Sequence, residues 1–393
     1  MFHIRFAVIV AGLHPKNRCR RSASAICRPR RDAPRLAPAP PFLAISRTRS
    51  RSDPVSLATL SSRASTPARV GALVSIVSVA GLALAGCADS SSAADGGSSD
   101  DTVTMATEPW LGYGPWYIAQ DEGYFEDQGV DVDLVSFDTD ADGAAALASG
   151  RVDIANLATQ EVLRLIESGM DLKVVLLLDA SRTADAILTD PSITSVEQLA
   201  GKEVAFEEGS VSHLLLNDAL ASAGLTLDDI VPVPMPAAEA ATALASGKVP
   251  AAVTYEPYIS EAAGAGEFTQ LYTAAENEGL ISDVIVVTQE ALDEKPEAIQ
   301  AVVDAWAPAI DFYDSNTEEA QQIIADNIGS SRDDLVSAFE GVHYYTLEEN
   351  KTFLGGEYAE RIFPLVDEAA TSAGIVEGKT EDLGGLVDTQ FVE

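Results

Sequence analysis

Short apolar runs alternate with amphipathic stretches from Thr102 onward. The runs "VTMAT", "VDVDLVSF" and "VDIANLA" have the length and composition of strands, and "GPWYIAQDEGYFEDQG" and "TQEVLRLIESG" between them have helical spacing. Strands that are separated by helices indicate βαβ units. The pattern therefore predicts an α/β fold in which each sheet is mainly parallel.

The phrase "ALASG" occurs twice, at 146–150 and at 243–247. Each copy ends a predicted helix with a glycine, which is the residue that favours the left-handed position after a helix. A basic residue and an apolar run follow each copy. The alternation of predicted strands and helices also begins again after "DPSITSVEQLAG", residues 190–201. We interpret the repeat as one construction used in two lobes.

The last predicted strand, "DVIVV" at 283–287, follows the second lobe, and everything after it is predicted to be helical. Helices without further strands suit a return to the first lobe, where they would cover its sheet. Crossovers are expected near 189–192 and 279–283, with the ligand cleft between the lobes. The expected divisions are 1–54, a disordered extension or residues upstream of a true start such as Val55; 55–86, a signal peptide; 87–102, a flexible tether; 103–189, the first lobe; 190–282, the second lobe; and 283–393, the return strand and C-terminal helices.

Charge is distributed unevenly along the 393 residues. Residues 1–86 hold 14 Lys and Arg and two acids, whereas residues 87–393 hold 11 basic and 59 acidic residues, a net formal charge of −48. A surface this negative repels nucleic acid and anionic lipid headgroups, so neither is expected as a partner. A solvated, highly soluble surface is the simplest interpretation.

All three cysteines, Cys19, Cys27 and Cys87, precede the predicted globular part, so that part has no disulfide framework or cysteine-based zinc site. Residues 70–86 form an apolar run behind Arg63 and Arg69, too short for a comfortable membrane span but typical of a signal peptide. The run ends in "LAGC", which resembles the bacterial lipobox. Cys87 is therefore the expected lipidation site, and the polar "ADSSSAADGGSSDDT" after it is the expected tether.

Several segments, taken in order, carry a family resemblance. "WLGYGPWYIAQDEGYFEDQGVDV", "ALASGRVDIA", "ADAILTDPSITSVEQLAGKEVAFEEGSVSHLLL" and "AAVTYEPYIS" resemble the nitrate/sulfonate/taurine class of ABC-importer substrate-binding proteins. The resemblance covers about residues 103–310. It implies a two-lobed type II periplasmic-binding-protein fold that closes on a small solute and delivers it to a membrane permease and its ATPase subunits. The "EGSVSHLLL" segment is closest to branches associated with nitrogen-rich solutes such as guanidine or urea-like compounds.

Candidate binding residues follow from the rule that open α/β lobes hold ligands beyond the carboxyl ends of their strands. Ser210 opens a predicted helix, where a serine cap and free N–H groups could seat an anion, although capping alone would also explain it. Arg182 could hold a carboxylate or sulfonate on the same ligand. The expected ligand-binding residues are Glu108, Trp110, Tyr113, Thr159, Asp179, Ser181, Glu208, Ser210, Ser212, Tyr255, Glu256 and Asp283.

The acids among these residues outnumber Arg182, and a desolvated carboxylate is costly unless it is paired. An amine, amidine or guanidinium compound, possibly zwitterionic, is therefore favoured over nitrate. Two other functions compete with import. A thiamine-pyrimidine-type enzyme of the same fold is disfavoured, because the predicted globular part has no cysteine and its histidines are His213 and His343. The other alternative is a ligand-sensing surface receptor, and an adjacent pair of ATPase and permease genes would distinguish an importer from such a receptor. We expect no catalytic residue, metal or cofactor, and a monomer lipid-anchored to the outer face of the cell membrane.

Overall fold

The computed structural model describes residues 102–378, 380 and 382–393. Their strands form two sheets, one of six strands and one of five. The strands are β1 (Thr102–Thr107), β2 (Asp131–Ser136), β3 (Ile154–Ala158), β4 (Leu172–Ser181), β5 (Asp185–Thr189), β6 (Glu203–Phe206), β7 (Val231–Pro234), β8 (Ala251–Tyr255), β9 (Thr269–Thr273), β10 (Ser282–Thr288) and β11 (Val342–Tyr344).

Helices cover both sheets and form most of the C-terminal region. The α-helices are α1 (Gly114–Asp121), α2 (Tyr124–Asp127), α3 (Asp140–Ala148), α4 (Thr159–Glu167), α5 (Val211–Ser222), α6 (Ala237–Ala245), α7 (Tyr258–Ala265), α8 (Gln289–Glu294), α9 (Pro296–Ser315), α10 (Thr317–Asn327), α11 (Arg332–Leu335), α12 (Leu347–Phe353) and α13 (Phe363–Ala373). A π-helical segment spans Leu354–Ile362, and short 3-10 helices span Leu111–Tyr113, Val196–Leu199, Leu227–Asp229, Ala274–Glu276, Phe339–Gly341, Leu383–Leu386 and Gln390–Val392. Within the described residues, no helix has the length and apolar character that a membrane crossing requires.

The first sheet has the spatial order β11-β4-β10-β3-β1-β2, and the second has the order β7-β6-β8-β5-β9. In the first sheet β1, β2, β3 and β4 run in one direction, and β10 and β11 run in the other. In the second sheet only β5 runs against the other four strands. The predicted α/β class with mainly parallel sheets is confirmed, and the strands that run against the majority include those that enter a lobe from the other one.

The two copies of "ALASG" fold in the same way. In the first copy the N–H of Gly150 donates to Leu147 O at 3.0 Å and the N–H of Arg151 donates to Ala146 O at 2.9 Å. In the second copy Gly247 and Lys248 make the equivalent bonds at 2.8 and 2.9 Å. The glycines have φ of 66° and 69°, so both helices end in the same left-handed cap and turn back into β3 and β8.

The first crossover lies earlier than the sequence indicated. β4 ends at Ser181 in the first sheet and β5 begins at Asp185 in the second, so the chain crosses at 182–184 rather than near 189–192. Both strands are buried along almost their whole length, and three residues are enough to connect them. The return crossover occupies 274–281, between β9 and β10.

Three strands were not predicted: the buried β5 and the two edge strands β9 and β11. β9 lies at the edge of the second sheet and is only half-buried, so it lacks a continuous apolar run. β11 has three residues at the edge of the first sheet, inside the region expected to be wholly helical. Short edge strands need few apolar residues, which is why the pattern of the sequence does not reveal them.

Side chains of β5 divide the second lobe's core between the two faces of its sheet. Ile187 packs with Leu215 and Phe206 on one face, and Ala186 and Leu188 pack with the Ala-rich α6 on the other. This is the period-two alternation of a strand that is covered on both sides. The first lobe has a single larger core to which the C-terminal helices contribute, as expected for helices that return to cover its sheet.

Candidate functional site

A small cavity lies between the two lobes, at the edge where the carboxyl ends of the parallel strands meet. β5 and β10 run the opposite way, so they bring their first residues to this same edge. The walls therefore combine strand ends, strand beginnings and the loops between them. The lining residues are Glu108, Trp110, Asp140, Ala158 and Asp283 from the first lobe, Asp185, Val211 and Tyr255 from the second, and Ile281 from the return crossover.

Four of the nine lining residues are acids: Glu108, Asp140, Asp185 and Asp283. Among the described residues that line this cavity there is no Lys, Arg or His. Burial raises the pKa of every one of these carboxyl groups, and repulsion from neighbouring acids adds to the effect for Glu108, Asp140 and Asp185. The ligand-free site therefore holds carboxyl groups that gain a proton more readily than ordinary ones do.

Asp283 in the cavity wall pairs with Asp179 directly behind it, and the two residues lie on the neighbouring strands β10 and β4. Trp110 Nε1 donates to Asp179 Oδ1 at 3.2 Å, and the Tyr113 hydroxyl donates to Asp283 Oδ1 at 3.1 Å. Burial and the charge of Asp283 raise the pKa of Asp179 well above its usual range, whereas burial raises that of Asp283 to about 6. Asp179 Oδ2 is buried and has no hydrogen-bond partner.

Asp185 and Asp140 approach the cavity from opposite lobes. Asp185 is the first residue of β5 and is 2% exposed, and its Oδ2 has no hydrogen-bond partner. Burial raises the pKa of Asp185 to about 8 against the lowering effect of the Ser181 hydroxyl. Asp140 opens α3; its Oδ2 accepts the N–H of Ala158 at 3.3 Å and its buried Oδ1 has no partner. Each lobe thus presents one carboxyl oxygen without a donor.

Aromatic rings from both lobes close one side of the cavity. Trp110 and Tyr255 meet edge to face with their ring centroids 5.9 Å apart, and Tyr258 lies 5.4 Å beyond Tyr255. Gly112 is required beneath them, because a Cβ there would collide with the side chains of Trp110 and Asp179. The contact between Trp110 and Tyr255 also means that the two lobes touch across the cavity.

A second space adjoins the first and shares Glu108, Asp140, Val211 and Tyr255 with it. It contains one cation, Arg164, whose Nη1 lies 3.0 Å from Glu161 Oε2. Further residues of this space are Thr139, Ala141, Glu207, Glu208, Gly209 and Ser210.

The twelve predicted binding residues occupy four kinds of position. In the cavity wall lie Glu108, Trp110, Tyr255 and Asp283; in the adjoining space lie Glu208 and Ser210; directly behind the wall lie Tyr113, Asp179 and Ser181; and Thr159, Ser212 and Glu256 lie elsewhere. The Thr159 hydroxyl donates to Ser282 O at 2.9 Å. Glu256 accepts the N–H of Ser260 at 3.0 Å and lines a separate groove. These two side chains support the structure around the site.

The geometry bears on three expectations about charge. Arg182 is exposed, 4.0 Å from Glu278, and does not line the cavity. Glu208 is exposed as well, whereas its neighbour Glu207 is half-buried and accepts the N–H of Ala237 at 3.2 Å. Ser210 caps α5 through a 3.1 Å bond from Ser212 N, but the acids beside it make an anion seat there unfavourable.

Asp140 and Asp185 were missed by the sequence reasoning. Asp140 lies in the acidic run "DTDADG", whose composition is typical of a solvated loop. Asp185 begins a strand, whereas the rule for locating binding residues points to the ends of strands. The signal that could have found Asp185 was its position between two apolar strands, where an isolated carboxylate is costly. No group of three or more His, Cys, Asp or Glu side chains within the described residues is placed to hold a metal ion.

Two α/β lobes joined by two crossovers around a cavity define the fold of the periplasmic binding proteins. The crystal structure of the periplasmic aliphatic sulphonate binding protein SsuA from Escherichia coli superposes with a TM-score of 0.61 at 21% identity, covering 73% of this chain and 97% of that one. The chain belongs to the family described as NMT1/THI5 like, whose sequence profile matches residues 111–320. The resemblance that the sequence indicated is thereby confirmed.

Relatives in this family carry different names. A Brucella abortus protein named as a binding protein is 26% identical over 213 residues, 53% of this chain; the match spans 65% of that protein, less than two thirds of its length. The taurine-binding periplasmic protein of Escherichia coli K12 is 25% identical over 290 residues, covering 71% of this chain and 89% of the relative. A shorter match, 28% over 140 residues, joins 34% of this chain to 40% of the 4-amino-5-hydroxymethyl-2-methylpyrimidine phosphate synthase of Aspergillus parasiticus.

Proposed function

We propose that this chain is an extracytoplasmic solute-binding protein of an ABC importer. It captures a small organic nitrogen compound or sulfonate between its lobes and delivers it to a membrane permease that is driven by ATPase subunits. The observation that carries the proposal is the cavity itself, since its polar walls come from both lobes and the rings of Trp110 and Tyr255 meet across it. A relative named as a taurine-binding periplasmic protein supports the same role.

An enzymatic role is the competing proposal, because the family includes a relative named as a pyrimidine phosphate synthase. The described residues contain no cysteine, and the acids of the cavity face no histidine in its walls. His213 is held in α5, where its Nδ1 accepts the N–H of Gly209 at 3.3 Å and burial lowers its pKa. These features favour reversible capture over catalysis.

A thermal-shift screen tests the proposed capture. Amines, guanidines, amino sulfonates, alkanesulfonates and nitrate are added to the purified protein, and at least one is expected to raise its melting temperature. A ligand at 100 times its dissociation constant adds about 2.7 kcal/mol to stability, which a melting curve resolves readily. A chain that converts a substrate into product without retaining any compound of the screen would instead support the enzymatic proposal.

Lipid anchoring is proposed from the sequence alone, because Cys87 and residues 70–86 lie outside the described residues. The change Cys87→Ser removes the sulfur to which a diacylglycerol would be attached. The two acyl chains of that group are what would hold the protein stably on the membrane. The variant is expected to move from the membrane fraction to the medium. Wild-type protein that takes up no radiolabelled palmitate would contradict the proposal, and so would a Cys87→Ser variant that stays on the membrane.

A further inference from the structure

We infer that the cavity selects a small organic cation, held between Asp185 of one lobe and Asp140 of the other, and that it rejects sulfonates. This inference rests on the proposed solute-binding function and names the class of solute. The class differs from the sulfonates and taurine after which two relatives are named. It follows from the charges, the unpaired atoms and the dimensions of the site.

The charges of the walls are the first argument. Four carboxyl groups line the cavity, and no Lys, Arg or His among the described residues lines it with them. The nearest cation in the adjoining space, Arg164, is already engaged by Glu161 at 3.0 Å. A sulfonate would bring another anion into this surrounding without any cation to pair with it, whereas a cation would neutralise charge that burial makes costly.

Unpaired oxygen atoms give the second argument. A buried acceptor without a donor is uncommon in a folded protein and calls for a specific explanation. Asp185 Oδ2 and Asp140 Oδ1 are such acceptors, and both residues line the cavity. An ammonium, amidinium or guanidinium group offers N–H donors on more than one side, so one ligand can satisfy an oxygen from each lobe.

The shape of the cavity limits the ligand further. The cavity is small and side chains from both lobes surround it, so the solute that it holds has few heavy atoms. Trp110 and Tyr255 add ring faces and edges to the walls, and aromatic rings are favourable neighbours for organic cations. A ligand that bonds to both lobes also explains how capture would hold the lobes together.

Calorimetric titration of the purified full chain tests the inference. The probes are methylguanidine, putrescine, taurine, methanesulfonate and Ca²⁺. At least one organic cation is expected to bind, and Asp185→Asn and Asp140→Asn should each weaken it about 10- to 100-fold, because charged hydrogen bonds contribute about 1.5–3 kcal/mol. Asp228→Asn, which removes an exposed acid from the same lobe as Asp185, is the matched control and should bind as the wild type does.

Proton release is a second readout, and it does not depend on a variant's folding. The titratable groups around Asp185 are Glu108, Asp179, Asp283 and Glu256, with the Ser181 hydroxyl beside it. A bound cation favours the ionised carboxylate, so binding near pH 7 should release protons, and the measured heat should depend on the ionisation enthalpy of the buffer. Affinity for the cation should accordingly rise between pH 6 and pH 8.

The outcomes separate this inference from the proposed function. Methanesulfonate binding that is insensitive to Asp185→Asn would overturn the cation inference and leave solute capture intact. Binding of Ca²⁺ alone would overturn it in favour of a metal ion. If none of the probes binds and the wider screen also finds no ligand, both the inference and the proposed function fail.

Discussion

Between pH 4 and pH 8 the Asp185→Asn variant should lose less stability than the wild type does when both are measured without ligand. Burial raises the pKa of this carboxyl group from its usual 3.8 to about 8. The folded state therefore binds more protons than the unfolded state between these values, and its stability falls with rising pH. About four pKa units at about 1.4 kcal/mol each give an upper limit of roughly 6 kcal/mol for the loss in the wild type.

The direction of this effect is fixed by the sign of the pKa shift. A raised carboxyl pKa contributes stability that is fully present below about pH 4 and is lost as the pH passes through the folded-state value of about 8. Asn has the shape of the protonated Asp, so the variant keeps the low-pH packing and cannot ionise. Urea unfolding at pH 5 and pH 8 measures the difference between the two proteins.

Asp228→Asn is the control that separates local burial from total charge. It removes one carboxylate from the exposed surface of the same lobe, so it reduces general repulsion equally. Its stability should fall with pH as steeply as that of the wild type. Equal slopes for Asp185→Asn and Asp228→Asn would show that Asp185 is not desolvated in the free protein, and the charge argument for an organic cation would lose its main support.

The sequence predicted the fold through features that act over short distances. The alternation of strand and helix, the glycine caps and the repeated "ALASG" depend on neighbouring residues, and all of them appear in the structure. The position of the first crossover depends instead on which sheet β5 joins. That choice is made by distant partners, β8 and β9, and no local pattern in 182–184 records it.

The same contrast between local patterns and distant strand pairing explains which residues of the candidate site could be predicted. Glu108 and Tyr255 follow strands that run with the majority, so the carboxyl-end rule located them. Asp185 begins a reversed strand, and the rule excludes such a position unless the topology is known. Glu207 and Glu208 are adjacent acids where the chain turns after β6, so the pattern of the sequence alone could not choose between them.

Trp306→Ala should cause the largest loss of stability from a single change in the first lobe, about 3–5 kcal/mol. Trp306 on α9 is fully buried, its centroid lies 4.5 Å from that of Trp116 on α1, and its Nε1 donates to Tyr345 O at 2.7 Å. Trp116 Nε1 in turn donates to Asn156 Oδ1 at 2.9 Å, on the strand whose end lines the cavity. The C-terminal helices are thereby connected to the strand that carries part of the site.

Thermal unfolding of Trp306→Ala should show a melting temperature about 6–20 °C lower, at about 2–4 °C per kcal/mol for a domain of this order of size. Trp306→Phe keeps most of the ring and loses the hydrogen bond to Tyr345, so it should cost about 1–3 kcal/mol, mainly because a buried carbonyl loses its donor. If Trp306→Ala lowers stability by less than about 1 kcal/mol, the C-terminal helices do not contribute to the first lobe's core as the structure indicates. A truncation that removes the chain after Thr288 should then leave a first lobe that still folds, whereas a core shared with α9 predicts that it unfolds.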